Sequence, residues 1–459
     1  MTDSTNEVDG DDVAQPRFSL SADEQPKQSQ PARHPIGLWV ASVPVVVLLV
    51  SVLAFYTSSD VSTPPPELQS FARPATISLP PRIVSPKPKL REPIVRVNVT
   101  PGGDDSFQLE LRGKCQFHSL EPNDKLAGQI DPGKFEVTST KKGLKLGTRQ
   151  YATSQLELDP GPTPTIRVNG HLYRGRMRLF RRTDGKVSAV NVLPIEEYLA
   201  SVVDSEMPAK FPEAARKAQA IVARTYALYQ IEHADPKAVY DLLASQRSQK
   251  YLGVEYLDAT GRRLAGESES SRKVVAATRS VVCQQNKKLF CAYYSAVCGG
   301  HTTDGKSVFK DAADVVQSVP CEWCRESPHF RWKTEIPHQD FRERTLDRNQ
   351  GNKQTAIRSV RQHSGPGNGA ISRFEIDDGR KPVSMTGIEL RERMPSGMLA
   401  SPHFQINLEK DRVVFEGRGH GHGVGFCQWG AKGQAESGRS HLDIIRHYYP
   451  GVEIATLDY

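Results

Sequence analysis

Residues 194–230 read PIEEYLASVVDSEMPAKFPEAARKAQAIVARTYALYQ, and the fold is decided there. Two helical patterns flank a Ser205-Glu206-Met207-Pro208 turn. Pro208 bars the first helix from continuing, and Pro212, with its fixed φ and missing N–H, begins the second. From Pro212 to Glu232 small and apolar residues recur at Ala214, Ala215, Ala218, Ile221, Val222, Thr225 and Leu228, a helical period. Lys217 and Arg224 stand two turns apart, which places both cations on one side of that helix. A lone carboxylate at a helix junction beside two stacked cations is a candidate site. The plainer alternative is an ordinary turn next to a solvated helix face.

Outward from this stretch the pattern is mostly β. Ile94–Val99 and Phe107–Leu111 alternate as strands, with Pro101-Gly102-Gly103 turning between them. Leu172–Phe180 and Val187–Val192 form a hairpin about Asp184-Gly185. A helix is expected at Ser271–Ser280 and a hairpin at Val281–Cys283 and Phe290–Tyr294. A strand follows at Val413–Glu416, and His441–His447 begins a closing helix. The fold class is a β-rich α+β arrangement with one long helix packed on sheets.

Upstream, Ile36–Tyr56 is an uncharged run of 21 residues, long enough for one transmembrane helix. A cleavable signal peptide ending near Ala54 is the alternative. Arg17, Lys27 and Arg33 precede the run and the next basic residue is Arg73, which predicts a cytoplasmic N-terminus and an extracytoplasmic main domain. The expected organisation is a disordered tail over 1–35, an anchor over 36–56, a Pro-rich linker over 57–93 and a globular region over 94–459. The last divides into a β part, 94–190, and a core, 191–459. The tail holds three Lys/Arg against seven Asp/Glu, and the remainder fifty-seven against forty-six. A basic exported domain suits an anionic wall polymer and argues against nucleic acid as partner.

The 194–230 stretch closely resembles the signature of the SpoIID/LytB family of peptidoglycan-acting proteins, through Glu197-Tyr198-Leu199, Val202-Val203, Glu206-Met207-Pro208 and the run from Pro212 to Leu228. Two more blocks agree in order: Tyr294–Thr302 (YSAVCGGHT) and Gly421–Ala431 (GHGVGFCQWGA). The resemblance covers roughly residues 94–459. It implies a lytic transglycosylase that cleaves the bond between N-acetylmuramic acid and N-acetylglucosamine, with Glu206 as the catalytic acid/base. One carboxyl group suffices because the sugar's own C6 hydroxyl, not water, closes an anhydro ring; hydrolysis uses two carboxylates. It further implies Lys217, Arg224, Ser295, His420, His422 and Gln428 as substrate-binding residues. The partners implied are glycan strands, particularly strands denuded by an N-acetylmuramoyl-L-alanine amidase. The competing implication is an amidase enhancer that binds peptidoglycan without cutting it. At Cys427 a small polar residue is more usual in the family.

Cys298-x-x-His301 and Cys321-x-x-Cys324, nineteen residues apart, have the spacing of a Cys₃His zinc knuckle. The resemblance adds to this, since some family members bind zinc in this region. Such a closed site is structural, and the chemistry at Glu206 requires no cofactor. Disulfides are the alternative, because exported thiols tend to oxidise. Cys283 and Cys291 are then expected to bridge their hairpin, and Cys115 and Cys427 stay unassigned.

Overall fold

The computed structural model describes residues 91–163, 166–346, 357–364 and 369–459. The expected tail, anchor and all but the end of the linker lie outside these residues. Among the described residues no helix is long and apolar enough to cross a membrane. The fold is mixed α+β and β-rich, with seven α-helices among the described residues: α1 (Ile195–Glu206), α2 (Glu213–His233), α3 (Glu269–Ala277), α4 (His338–Thr345), α5 (Gly387–Arg393), α6 (Gln428–Glu436) and α7 (His441–Tyr448).

A seven-stranded sheet runs in the order Leu242–Leu243, Ile94–Asn98, Val187–Pro194, Arg176–Arg181, Gln155–Asp159, Cys115–Ser119, Ala127–Ile130. The expected hairpin is its centre, with Phe180 opposite Ser188 and Arg181 opposite Val187, but its first strand begins only at Arg176, and His171–Tyr173 pairs with Ile166–Val168 in the other sheet. The first two expected strands do not pair with each other. Ile94–Asn98 joins this sheet, whereas Ser106–Leu111 sits in an eight-stranded sheet beside Gly133–Thr140 and Ile166–Val168. Both sheets turn alternate residues into one core, among them Val95, Val97, Leu156, Leu158, Met177 and Leu179 from the first and Phe107, Leu109, Val137 and Leu144 from the second.

The strand Val187–Pro194 feeds directly into α1. At the other end of α1 the chain turns extended at Met207, whose N–H still reaches the Val203 carbonyl at 2.9 Å. Pro212 caps α2 from one position before its first turn. From Ala218 to Leu228 every residue of α2 is buried, so it is a central helix rather than a surface one. It packs against α1, α3, α6, α7 and the strand Val281–Gln285.

Residues 331–418 build a second core that periodicity did not reveal. Two three-stranded sheets, one of Arg331–Pro337, Arg412–Arg418 and Phe404–Leu408 and one of Ser359–Ser364, Arg373–Asp377 and Val383–Thr386, enclose it with α4 and α5. At its centre Phe374 stacks on Phe404, and Phe415 meets both Phe404 and Phe341 edge to face.

The hairpin after α3 corrects the expected Cys283–Cys291 bridge. Asn286 and Lys287 both take positive φ and make a two-residue turn, pairing Gln285 with Lys288 and Gln284 with Leu289. Both thiols are buried, and Cys291 lies 3.6 Å from the Gln230 amide nitrogen on α2 instead of bridging to Cys283. Both are free.

Candidate functional site

Two buried ion pairs hold α1 antiparallel to α2, one at each end. Near the start of α1 the Arg224 guanidinium forks onto Glu196, with Nε to Oε1 at 2.9 Å and Nη2 to Oε2 at 2.7 Å. Near its end Arg216 pairs with Asp204 and also reaches the Ser270 hydroxyl. With both ends fixed, the last residue of α1 has a defined position. That residue is Glu206.

The Glu206 carboxyl is recessed but not sealed, and the exposed Pro208–Lys210 turn lies beside it. Its Oε1 accepts the Lys250 backbone N–H at 2.7 Å, and its Oε2 faces the Gln428 amide nitrogen at 3.4 Å. The same Gln428 nitrogen faces the Gln219 carbonyl oxygen on α2, also at 3.4 Å. Lys250 is presented by its neighbour Gln249, which is fully buried. Gln249 accepts the Tyr198 hydroxyl at 3.0 Å and donates to the Ala223 carbonyl at 3.2 Å. Tyr198, Tyr226 and Tyr294 lie around the acid, and burial above all, with the acid's charge adding to it, holds each phenol well above its ordinary pKa.

Burial pushes the Glu206 carboxyl above its ordinary value, against the lowering effect of the Lys250 N–H, Tyr294 and Gln428. No carboxylate is among the groups acting most strongly on it. Among the described residues the buried Ser295 hydroxyl and Gln219 amide nitrogen have no hydrogen-bond partner. Unpaired buried polar atoms around a recessed, protonatable acid are what a polar ligand would satisfy.

The residues expected at the site divide. Glu206 and Gln428 meet directly. Ser295 lies next to Tyr294 on a short strand paired with Phe426–Cys427. Close approach of the glycine loop explains Gly421, whose φ is +96° and where a Cβ would lie 3.3 Å from the Ser295 Cβ. Arg224 is the main correction. It has no exposed surface, and its remaining donors go to the Val281 and Val275 carbonyls, so it cannot bind a glycan. Lys217 pairs with Glu213 one turn back at 2.6 Å and stays partly exposed.

The two histidines are neutral. Burial lowers His422 to about 3 and His420 to about 4. The His422 Nδ1 accepts the Val424 N–H at 3.0 Å while the ring packs edge-on against Tyr293 and Phe309. His420 sits beside the His329 ring with its Nε2 unpartnered. Neither is placed to carry charge to a substrate.

The cysteine cluster also differs from expectation. Cys298, Cys321 and Cys324 do converge, but the fourth member is Cys427, not His301, with all four sulfurs within 4.8 Å of one another. His301 instead bridges Pro320 through its backbone.

The sequence is similar to several known proteins. A family model described as Stage II sporulation protein matches residues 183–284, which include α1, α2 and Glu206. An uncharacterized protein of Brachyspira hyodysenteriae is 30% identical over 361 residues, covering 79% of this chain and 92% of its own length. Stage II sporulation protein D of Bacillus subtilis is 27% identical over 274 residues, 59% of this chain and 77% of that protein. The amidase enhancer of Bacillus subtilis is 23% identical over 404 residues, covering 76% of this chain and 54% of its own.

Proposed function

The chain belongs to the SpoIID/LytB family, and from that premise we propose that it is a peptidoglycan lytic transglycosylase with Glu206 as its single acid/base. The observation that carries this reading is a recessed carboxyl held by one backbone N–H and one amide, whose burial favours its protonated form. A protonated Glu206 gives its proton to the glycosidic oxygen between N-acetylmuramic acid and N-acetylglucosamine as the C1–O bond breaks. The carboxylate then takes the proton from the muramic C6 hydroxyl as that oxygen bonds C1, closing the anhydro ring. One bond breaks and one forms, no water enters, and the enzyme ends protonated as it began. The Lys250 N–H and the Gln428 amide stabilise the transient carboxylate and fix its direction.

Basic residues of the outer surface, Lys217 included, suit the lactyl carboxylates that amidase-denuded strands expose. An extracytoplasmic setting, with the anchor expected at 36–56, is part of the proposal. No step runs through a metal, because four thiolates would close a coordination sphere and leave no open position.

Replacing Gln428 by alanine is expected to lower kcat by roughly ten- to hundredfold through loss of carboxyl orientation. KM and the thermal midpoint should change little, and steady-state kinetics beside a melting curve checks this. A second reading, an amidase-stimulating module, is favoured by the likeness to the amidase enhancer. The two separate when the full-length chain is incubated with denuded glycan alone and with intact peptidoglycan plus amidase. The proposal predicts shortened glycan in the first case. Unshortened glycan with a faster amidase would establish the second.

A further inference from the structure

We propose that Cys298, Cys321, Cys324 and Cys427 form a tetrathiolate site for a thiophilic divalent ion, zinc above all, which clamps the junction that sets Gln428 against Glu206. The positioning role rests on the reading of Glu206 as the reactive acid, whereas the binding of metal does not.

The four sulfurs arrive from three separate segments. Cys298 follows the strand Tyr294–Ser295 and opens a turn through Gly299 and Gly300. Cys321 and Cys324 flank one short 3-10 turn, and the Cys321 N–H bonds the Gly300 carbonyl at 2.8 Å, tying the two turns together. Cys427 ends the strand Phe426–Cys427 and caps α6. Tetrahedral zinc with Zn–S bonds of about 2.3 Å needs sulfurs about 3.8 Å apart. The Cys298 and Cys324 sulfurs are 3.7 Å apart, and all four side chains are buried.

Polar groups close in around these sulfurs. The Cys298 and Gly430 N–H groups both point at the Cys427 sulfur at 3.3 Å, and the Tyr448 hydroxyl lies 3.2 Å from the Cys321 sulfur. Gly430 admits this approach, since a Cβ there would fall 2.5 Å from the Cys321 sulfur and 2.0 Å from the Tyr448 oxygen. Four buried sulfurs converging within reach of one ion are a closed ligand set that a divalent metal would fill, releasing the thiol protons as it binds.

Cys427 gives the site its consequence. It precedes Gln428 directly, and it pairs across the sheet with Ser295, the neighbour of Tyr294. Fixing the Cys427 sulfur therefore fixes the backbone of two segments that face Glu206. A motif position usually held by a small polar residue becomes, in this chain, a strut between metal and acid.

The test uses the full-length chain purified in detergent. Metal analysis is expected to give one zinc per chain, and X-ray absorption at the zinc edge four sulfur neighbours. His301→Ala should keep the metal. Cys427→Ser should weaken binding by more than about a hundredfold. On chelation, hydrogen exchange across the segment holding Gln428 and Gly430 should rise about tenfold, while the 176–192 hairpin stays protected. Metal-free protein carrying disulfides among the four cysteines would overturn the site. So would a three-sulfur, one-nitrogen shell lost in His301→Ala. Unchanged exchange on metal removal would overturn the positioning role. The absorption measurement needs no variant, so a Cys427→Ser chain that fails to fold leaves the proposal falsifiable. None of these readouts uses glycan. A zinc-loaded chain that cuts nothing would overturn the transglycosylase reading and leave the metal site standing.

Discussion

Arg224→Ala is expected to destabilise the protein by about 3–5 kcal/mol, the cost of leaving a buried carboxylate without its partner. Glu196 would lose both guanidinium bonds, keeping the Tyr459 hydroxyl at 3.0 Å and a long contact to the Ser280 N–H. The Val275 and Val281 carbonyls would each lose one donor, Val275 keeping the Thr278 N–H at 3.1 Å. With typical domain stabilities of about 5–15 kcal/mol, such a loss leaves little folded protein at physiological temperature. Removing both charges, as Arg224→Met with Glu196→Leu, should cost less than Arg224→Ala alone, because no orphaned carboxylate remains. Urea denaturation of the single and double variants measures this directly. If Arg224→Ala keeps its midpoint and loses only glycan affinity, the assignment of Arg224 to the α1–α2 clamp is wrong.

Glu206→Gln is expected to remove about 10²- to 10⁴-fold of the cleavage rate, the range for loss of a positioned acid/base. The amide keeps an acceptor for the Lys250 N–H, so the fold should hold. Stability should even improve at high pH. Because the native carboxyl titrates above its unfolded value, stability at this position is fully present below the ordinary carboxylate pKa and is lost as pH rises through the folded pKa. Glutamine has no such loss, so the variant's advantage should grow from acid to alkaline pH. For the same reason the alkaline limb of the parent's pH–rate profile should lie above the ordinary carboxylate range. Melting curves from pH 4 to pH 9, run beside rate measurements, check both signs; a variant less stable than the parent at alkaline pH would contradict them.

Local chemistry was legible in the sequence, and long-range pairing was not. Pro208 and Pro212 marked the junction of α1 and α2, and the spacing of Ala and Ile residues marked α2 itself. The Asp184-Gly185 hairpin was equally readable. Spacing set Lys217 and Arg224 two turns apart on α2, but their surroundings differ: Lys217 is partly exposed beside Glu213, and Arg224 is buried against Glu196, a partner set by tertiary packing. Glu196 lies 28 residues before Arg224, and no helical period connects them. Lys250 contributes only its backbone N–H, which carries no residue signature, and its position depends on Gln249 meeting Tyr198. The second core over 331–418 escaped because its strands are short, charged on their outer positions and paired across distance, as Arg331–Pro337 is with Arg412–Arg418. Spacing found three of the four clustered cysteines. The fourth, 103 positions beyond Cys324, signalled itself only as an unusual residue inside a glycine-rich motif.

The most direct test of the central claim is mass spectrometry of the sugar ends that the full-length chain releases from amidase-treated peptidoglycan. The account predicts muramic acid ends lighter than a reducing end by one water, present with the parent and absent with Glu206→Gln. Reducing ends, or the same anhydro ends from the glutamine variant, would contradict it.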